Sequence, residues 1–205
     1  MKKFLINGCI NYIKKYSNYT DSKLKEIEYG LTGVYLTISK LIIISVISII
    51  LGIFKEMIIF TLLFNILRIT AFGLHATKSY ICLFSSTIMF IIIPILCNYI
   101  NINVYLKCII CCLCIILMFK NAPADTYKRP IVNKKRRLIY KTISTLLAIT
   151  FSFVAIIIDN QFISNCLLFS LILENLLISP ITYKLFKLPY NNYITYLKKH
   201  PDFAN

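Results

Sequence analysis

Apolar residues run along this chain in blocks of roughly twenty, the helix length that crosses a hydrocarbon layer of about 30 Å. Six blocks fit: Tyr35–Phe54, Met57–Phe72, Tyr80–Asn98, Val104–Phe119, Thr142–Ile158 and Ile163–Pro180. They predict an all-α membrane protein with about six transmembrane helices. The second block is short and carries Asn65 and Arg68. It is the span expected to be tilted, broken or partly re-entrant.

The first thirty residues have a different pattern. Leu5, Cys9, Tyr12, Ile13 and Tyr16 recur at helical spacing, flanked by Lys2, Lys3, Lys14 and Lys15. This reads as a basic amphipathic interfacial helix on the inner leaflet. An amphipathic helix packed on its own protein fits equally well. The N-terminus is too polar and too interrupted for a signal peptide. The expected organisation is one integral membrane domain over 1–205. It divides into an amphipathic segment (1–33), a six-span core (35–180) and a cytoplasmic tail (181–205).

Composition supports the membrane reading, since 58% of the 205 residues are hydrophobic, more than one soluble core of this length needs. The net charge of +15 would suggest nucleic acid in a soluble protein. In a membrane protein it reads as topology, because Lys and Arg collect on the cytoplasmic side. With both termini inside, 21 of the 23 Lys and Arg residues fall on that side. Only Lys55 and Lys107 remain outside. The outer connections "NYINI" and "DNQF" carry no basic residue. No nucleic-acid partner is expected; membrane lipid is.

The eight cysteines show no paired C-x-x-C spacing with polar flanks, so no metal or other cofactor is expected. "CIICCLC", Cys108 to Cys114, lies in an apolar run where Cys packs as a small hydrophobe. Cys82 differs because His75 and Lys78 precede it. A nucleophilic cysteine must be a thiolate, and a free thiol with a pKa of about 8.5 is mostly protonated at neutral pH. Ser79 or Thr77 can cap the third span, placing Cys82 near the positive end of the helix dipole. His75 can take the thiol proton. Singly, His75 also reads as an interfacial imidazole and Cys82 as a small helix residue. On one straight helix the two would share a face but stand about 10 Å apart, beyond a hydrogen bond of about 3 Å. The chain must bend between them, at Gly73 or within "HATKS".

"RITAFGLHATKSYIC" has the form R-x4-G-x-H-x6-C, as Arg68, Gly73, His75 and Cys82. The stretch "NAPADTYKRPIVNKKRRL" after the fourth span has the form A-P-x-D…P followed by a basic cluster. With the length, the basic N-terminal segment and the multiple spans, these features resemble the accessory gene regulator B (AgrB) family. Those are membrane endopeptidases of Gram-positive quorum sensing. The resemblance implies a multi-pass protein of the bacterial cell membrane. It also implies that the substrate is an AgrD-like precursor peptide, with an amphipathic leader, a central segment bearing Cys or Ser, and an acidic tail. Cys82 would attack the bond before the tail, with His75 as base and then acid. The peptide's own thiol would then displace Cys82 and close a thiolactone. A homodimer is plausible by the same resemblance.

Around that pair, Arg68, Gly73 and Ser79 are expected to shape the site. Asp125 either orients His75 or caps a loop turn. Lys134, Lys135, Arg136 and Arg137 either hold the acidic tail or only set topology. Glu174 sits inside the sixth span, where a carboxylate is costly, and Arg68 is one possible partner. No H-E-x-x-H, G-x-S-x-G or P-loop motif occurs. The competing class is a non-catalytic small transporter or assembly scaffold that uses Arg68 and Glu174 as an intramembrane polar pair.

Overall fold

The computed structural model describes residues 2–17, 19–74, 79–126 and 130–199. Nine helices are present among them: α1 (Lys2–Tyr16), α2 (Asp21–Ile50), α3 (Phe54–Ala71), α4 (Ser79–Tyr99), α5 (Val104–Asn121), α6 (Lys134–Ile157), α7 (Gln161–Ile178), α8 (Pro180–Leu185) and α9 (Asn192–Lys199). No strand occurs among the described residues; an isolated parallel bridge joins Phe72 and Ala124. Five helices, α2, α4, α5, α6 and α7, are long and apolar enough to cross a membrane. The chain is therefore an all-α, multi-pass membrane protein. The second expected span, Met57–Phe72, is helical as α3 but is not among these five; the 18 residues of α3 include Lys55, Glu56 and Arg68.

Two compact units divide at Gly52. In the first, α1 lies against α2, with Ile6 and Leu24 buried. Tyr12 and Tyr16 on α1 are exposed and their rings pair at 4.8 Å. Helix α2 starts at Asp21, well before the expected span, and ends at Ile50 rather than Phe54. The early stop has a local cause. Gly52 takes φ +70°, a left-handed conformation that ends helices and suits glycine. Ile42, Val46, Ile49 and Ile50 are exposed along α2, the apolar surface a lipid-facing helix needs.

In the second unit α7 is the central helix, in contact with α3, α4, α5 and α6. It is also the least apolar of the five spans and the most enclosed. Ser164, Asn165, Ser170, Glu174 and Asn175 on α7 are all buried. Polar groups in a membrane helix point to the bundle interior because lipid cannot hydrogen-bond them. At one end of the bundle Asn165 Nδ2 donates to Cys97 O at 2.9 Å and to Ile100 O at 2.7 Å. There too Lys107 Nζ donates to Ser164 Oγ at 2.6 Å. Phe60 and Phe64 of α3 meet Phe90 of α4 with ring centroids 6.1 and 5.7 Å apart. At the opposite end the C-termini of α3, α5 and α7 converge, which fixes the geometry described next.

Candidate active site

Helix α3 ends at Ala71, and the next helix starts at Ser79. Phe72 and Gly73 turn the chain with φ +61° and +96°. The turn is held on several sides. Gly73 N donates to Ala124 O at 2.8 Å, Ala124 N to Ala71 O at 3.0 Å, and Leu74 N to Leu177 O at 3.0 Å. The Phe72 ring packs edge-on against Tyr140 of α6 at 5.0 Å. A Cβ at position 73 would lie 2.6 Å from Arg68 Nη1 and 2.9 Å from Leu177 O. Conformation and space both require glycine here.

Arg68 lies under this turn. Its Nη1 is 3.4 Å from Glu174 Oε1, and its Nη2 donates to Leu74 O. Glu174 is fully buried and the Arg68 side chain is 14% exposed. Of the pairings open to Glu174 in the sequence, this is the one formed.

Cys82 lies in the first turn of α4 and is partly buried. Its carbonyl accepts from Ser85 Oγ at 3.3 Å and Ser86 Oγ at 2.5 Å. His75, Thr77 and Lys78, and the side chain of Ser79, lie outside the described residues. The turn at Gly73 stands at one of the two places where the sequence pattern expects a break; the other, 75–78, lies outside the described residues. Among the other cysteines, Cys97, Cys111, Cys114 and Cys166 are buried, and Cys9 and Cys112 exposed.

Asp125 follows the Ala124 anchor and is buried. Its Oδ1 accepts from Asn192 N at 3.0 Å. Its Oδ2 accepts from Tyr193 N at 2.7 Å and Ile131 N at 3.4 Å. The carboxylate thus caps α9 from a distant segment. The Asp125 carbonyl accepts from Tyr183 Oη at 3.1 Å and Asn192 Nδ2 at 3.3 Å. Burial pushes the Tyr183 phenol above its usual range, opposed by the nearby Arg68 guanidinium. The phenol therefore remains a donor.

The basic cluster divides in two. Lys134, Lys135 and Arg136 are exposed on the first turn of α6, whose N-cap Asn133 accepts from Arg136 N at 3.0 Å. Arg137 turns inward: its Nη1 is 3.8 Å from Asp125 Oδ2, and its guanidinium stacks on the Tyr193 ring at 3.5 Å. The docked tail, α8 and α9, was not anticipated in the sequence. The signals for α8 are Ser179, whose side chain caps Ile181 N, and Pro180 at the first helical position.

The accessory gene regulator B family model matches residues 6–178. An AgrB-like protein of Clostridium acetobutylicum is 33% identical over 88% of this chain and 87% of its own length. An AgrB-like protein of Listeria innocua is 28% identical over 83% of this chain and 84% of its own. Accessory gene regulator protein B of Staphylococcus aureus is 32% identical over 73% of this chain and 81% of its own. No solved structure matches. The chain belongs to the accessory gene regulator B family and so to the accessory gene regulator system of quorum sensing.

Proposed function

We propose that this chain is a membrane-embedded cysteine endopeptidase that removes the C-terminal tail of an AgrD-like precursor and closes a thiolactone, or a lactone where the peptide's nucleophile is Ser. The observation that carries the reading is the end of α3 at Ala71 followed by the anchored turn at Phe72–Leu74. It leaves His75 directly after an anchored turn and Cys82 in the first turn of the next helix. A pair seven residues apart can meet only if the chain bends between them.

In this mechanism His75 takes the Cys82 proton, and the dipole-positive start of α4 stabilises the thiolate. The thiolate attacks the carbonyl carbon of the bond before the tail. The C–N bond breaks, and imidazolium gives its proton to the leaving amine. The acyl group remains on Cys82 as a thioester. The peptide's internal thiol, deprotonated by His75, then attacks that carbonyl and releases the Cys82 thiolate. One thioester replaces another, so cyclisation wins over hydrolysis only where water is kept out. Lys134, Lys135 and Arg136 hold the acidic tail through charge-assisted contacts. The site faces the cytoplasm, with both termini on that side, and lipid covers the outward apolar faces. A homodimer belongs to the same reading.

The transporter or scaffold reading draws on the Arg68–Glu174 pair. That pair is enclosed and bonded to the turn rather than strung along a path, which favours the enzyme. The test is purified protein in micelles incubated with an AgrD-like precursor, followed by peptide mass spectrometry. A thioester adduct on Cys82 is expected. Full cleavage by a Cys82→Ala variant ends the reading.

A further inference from the structure

We propose that Glu174 is a positioning residue for the peptidase reaction: through Arg68 it fixes the main chain of Gly73–Leu74, the anchor from which the segment carrying His75 continues. This rests on the reading of His75 and Cys82 as the catalytic pair.

A carboxylate buried in a membrane helix is disfavoured unless it is bound. Among the described residues Glu174 is bound through one oxygen only. Its Oε1 meets Arg68, and its Oε2 has no hydrogen-bond partner among the described residues. Among the described residues, its link to the turn is that guanidinium. Arg68 in turn divides its planar fork, with Nη1 toward Glu174 and Nη2 toward Leu74 O. A rigid fork held at one edge sets the direction of the other. The place of Glu174 on α7 is thereby transmitted to the Leu74 carbonyl.

The same helix holds Leu74 a second time. Leu177, one turn beyond Glu174 on α7, accepts from Leu74 N at 3.0 Å. Both polar main-chain groups of Leu74 are therefore gripped by α7, one directly and one through Arg68. Leu74 is the residue immediately before His75. Gly73 completes the arrangement, because any side chain there would collide with Arg68 Nη1 at 2.6 Å. An ion pair that only stabilised the bundle would need neither the Leu74 bond nor the glycine. Misplacement of a catalytic group by 1 Å can cost about 100-fold in rate, so the device has kinetic consequences.

The test uses the full-length protein in micelles, an AgrD-like synthetic precursor, and two variants. Arg68→Met with Glu174→Met removes both charges together, so no unpaired ion is left buried. Glu174→Asp keeps the charge and the pair but withdraws the carboxylate by one carbon. The double variant should melt near the wild type, with kcat down about 100-fold and KM nearly unchanged. Glu174→Asp should also melt near the wild type and lose at least about tenfold in kcat. The second readout needs no substrate: iodoacetamide labelling of Cys82 against pH, resolved by peptide mass spectrometry. Wild type should alkylate fast at neutral pH, and both variants should react more slowly. If either variant folds and matches wild type in kcat and in labelling profile, Glu174 is only structural and the inference fails alone. If wild-type protein neither cleaves precursor nor shows a reactive Cys82, the underlying peptidase reading fails and takes the inference with it.

Discussion

The amide of Gly73 donates to the carbonyl of Ala124 at 2.8 Å. The turn after α3 and the loop after α5 are thus one mechanical unit, although neither helix is next to the other in sequence. Gly73→Ala should damage that unit twice. The left-handed backbone costs about 1–3 kcal/mol for a side-chain-bearing residue, and the new methyl displaces Arg68 or Leu177. The expected result is a lower melting temperature in micelles together with a loss of precursor cleavage of at least about tenfold. Wild-type cleavage by a well-folded variant would show that the turn is not part of the site.

Asp125 should matter for the tail first. Asp125→Ala leaves Asn192 N and Tyr193 N without their acceptor and Arg137 without its anion. A buried carboxylate accepting main-chain bonds contributes about 1.5–3 kcal/mol for each such bond. Hydrogen exchange should therefore rise selectively in α9 while α5 and α7 stay protected. Unchanged exchange in α9 would mean that other contacts hold the tail.

The basic cluster should separate by function. Reversing Lys134, Lys135 and Arg136 together should raise KM for an acidic-tailed precursor several-fold and leave melting unchanged. Single reversals should cost under about 1 kcal/mol each. Added salt should reproduce the loss, since exposed charges are screened over about 10 Å at 0.1 M. Arg137→Ala should instead loosen α9, as Asp125→Ala does. A triple variant with normal KM at low salt would reduce the cluster to a topology signal.

Cys82→Ser should abolish cleavage, because a hydroxyl is far harder to ionise than a thiol. Cys112→Ala, at an exposed position on α5, should leave both rate and stability intact. Cys111→Ala and Cys114→Ala, at buried positions, should lower stability through lost packing without removing activity. Loss of the adduct in any α5 variant that remains folded would point to the wrong nucleophile.

Topology is testable at two exposed positions. A thiol introduced at Lys135, before α6, should react with an impermeant maleimide only after permeabilisation. One introduced at Asp159, between α6 and α7, should react in intact cells. The reverse pattern would put the proposed site on the wrong side of the membrane.

Five of the six expected spans and the turn at Gly73 were legible in the sequence because each rests on local information. Blocks of apolar residues mark the helices, and Gly73 between Arg68 and His75 marks the turn. The Glu174–Arg68 pairing was visible as one of few ways to satisfy a carboxylate in a span. The role of Asp125 was not, because its partners are main-chain amides of Asn192 and Tyr193, which no side-chain pattern advertises. Arg137 looked like its three neighbours for the same reason: its direction is set by Tyr193 and Asp125, both distant in sequence. The early start of α2 at Asp21 escaped because polar residues before an apolar block continue a helix as readily as they end one.

The enclosed position of α7 has a consequence for biogenesis. This helix is the last of the membrane-crossing helices to leave the ribosome, and it carries Ser164, Asn165, Ser170, Glu174 and Asn175 into the bilayer. Alone in lipid it would be a poor insertion signal. Its insertion should therefore be helped by α3 to α6, which supply Arg68 as a counter-ion for Glu174. Until α7 arrives, the turn at Gly73 lacks both the Leu177 carbonyl and the Glu174 carboxylate. If the proposed peptidase reading holds, competence should appear in timed translation into vesicles only after residue 178 has been released.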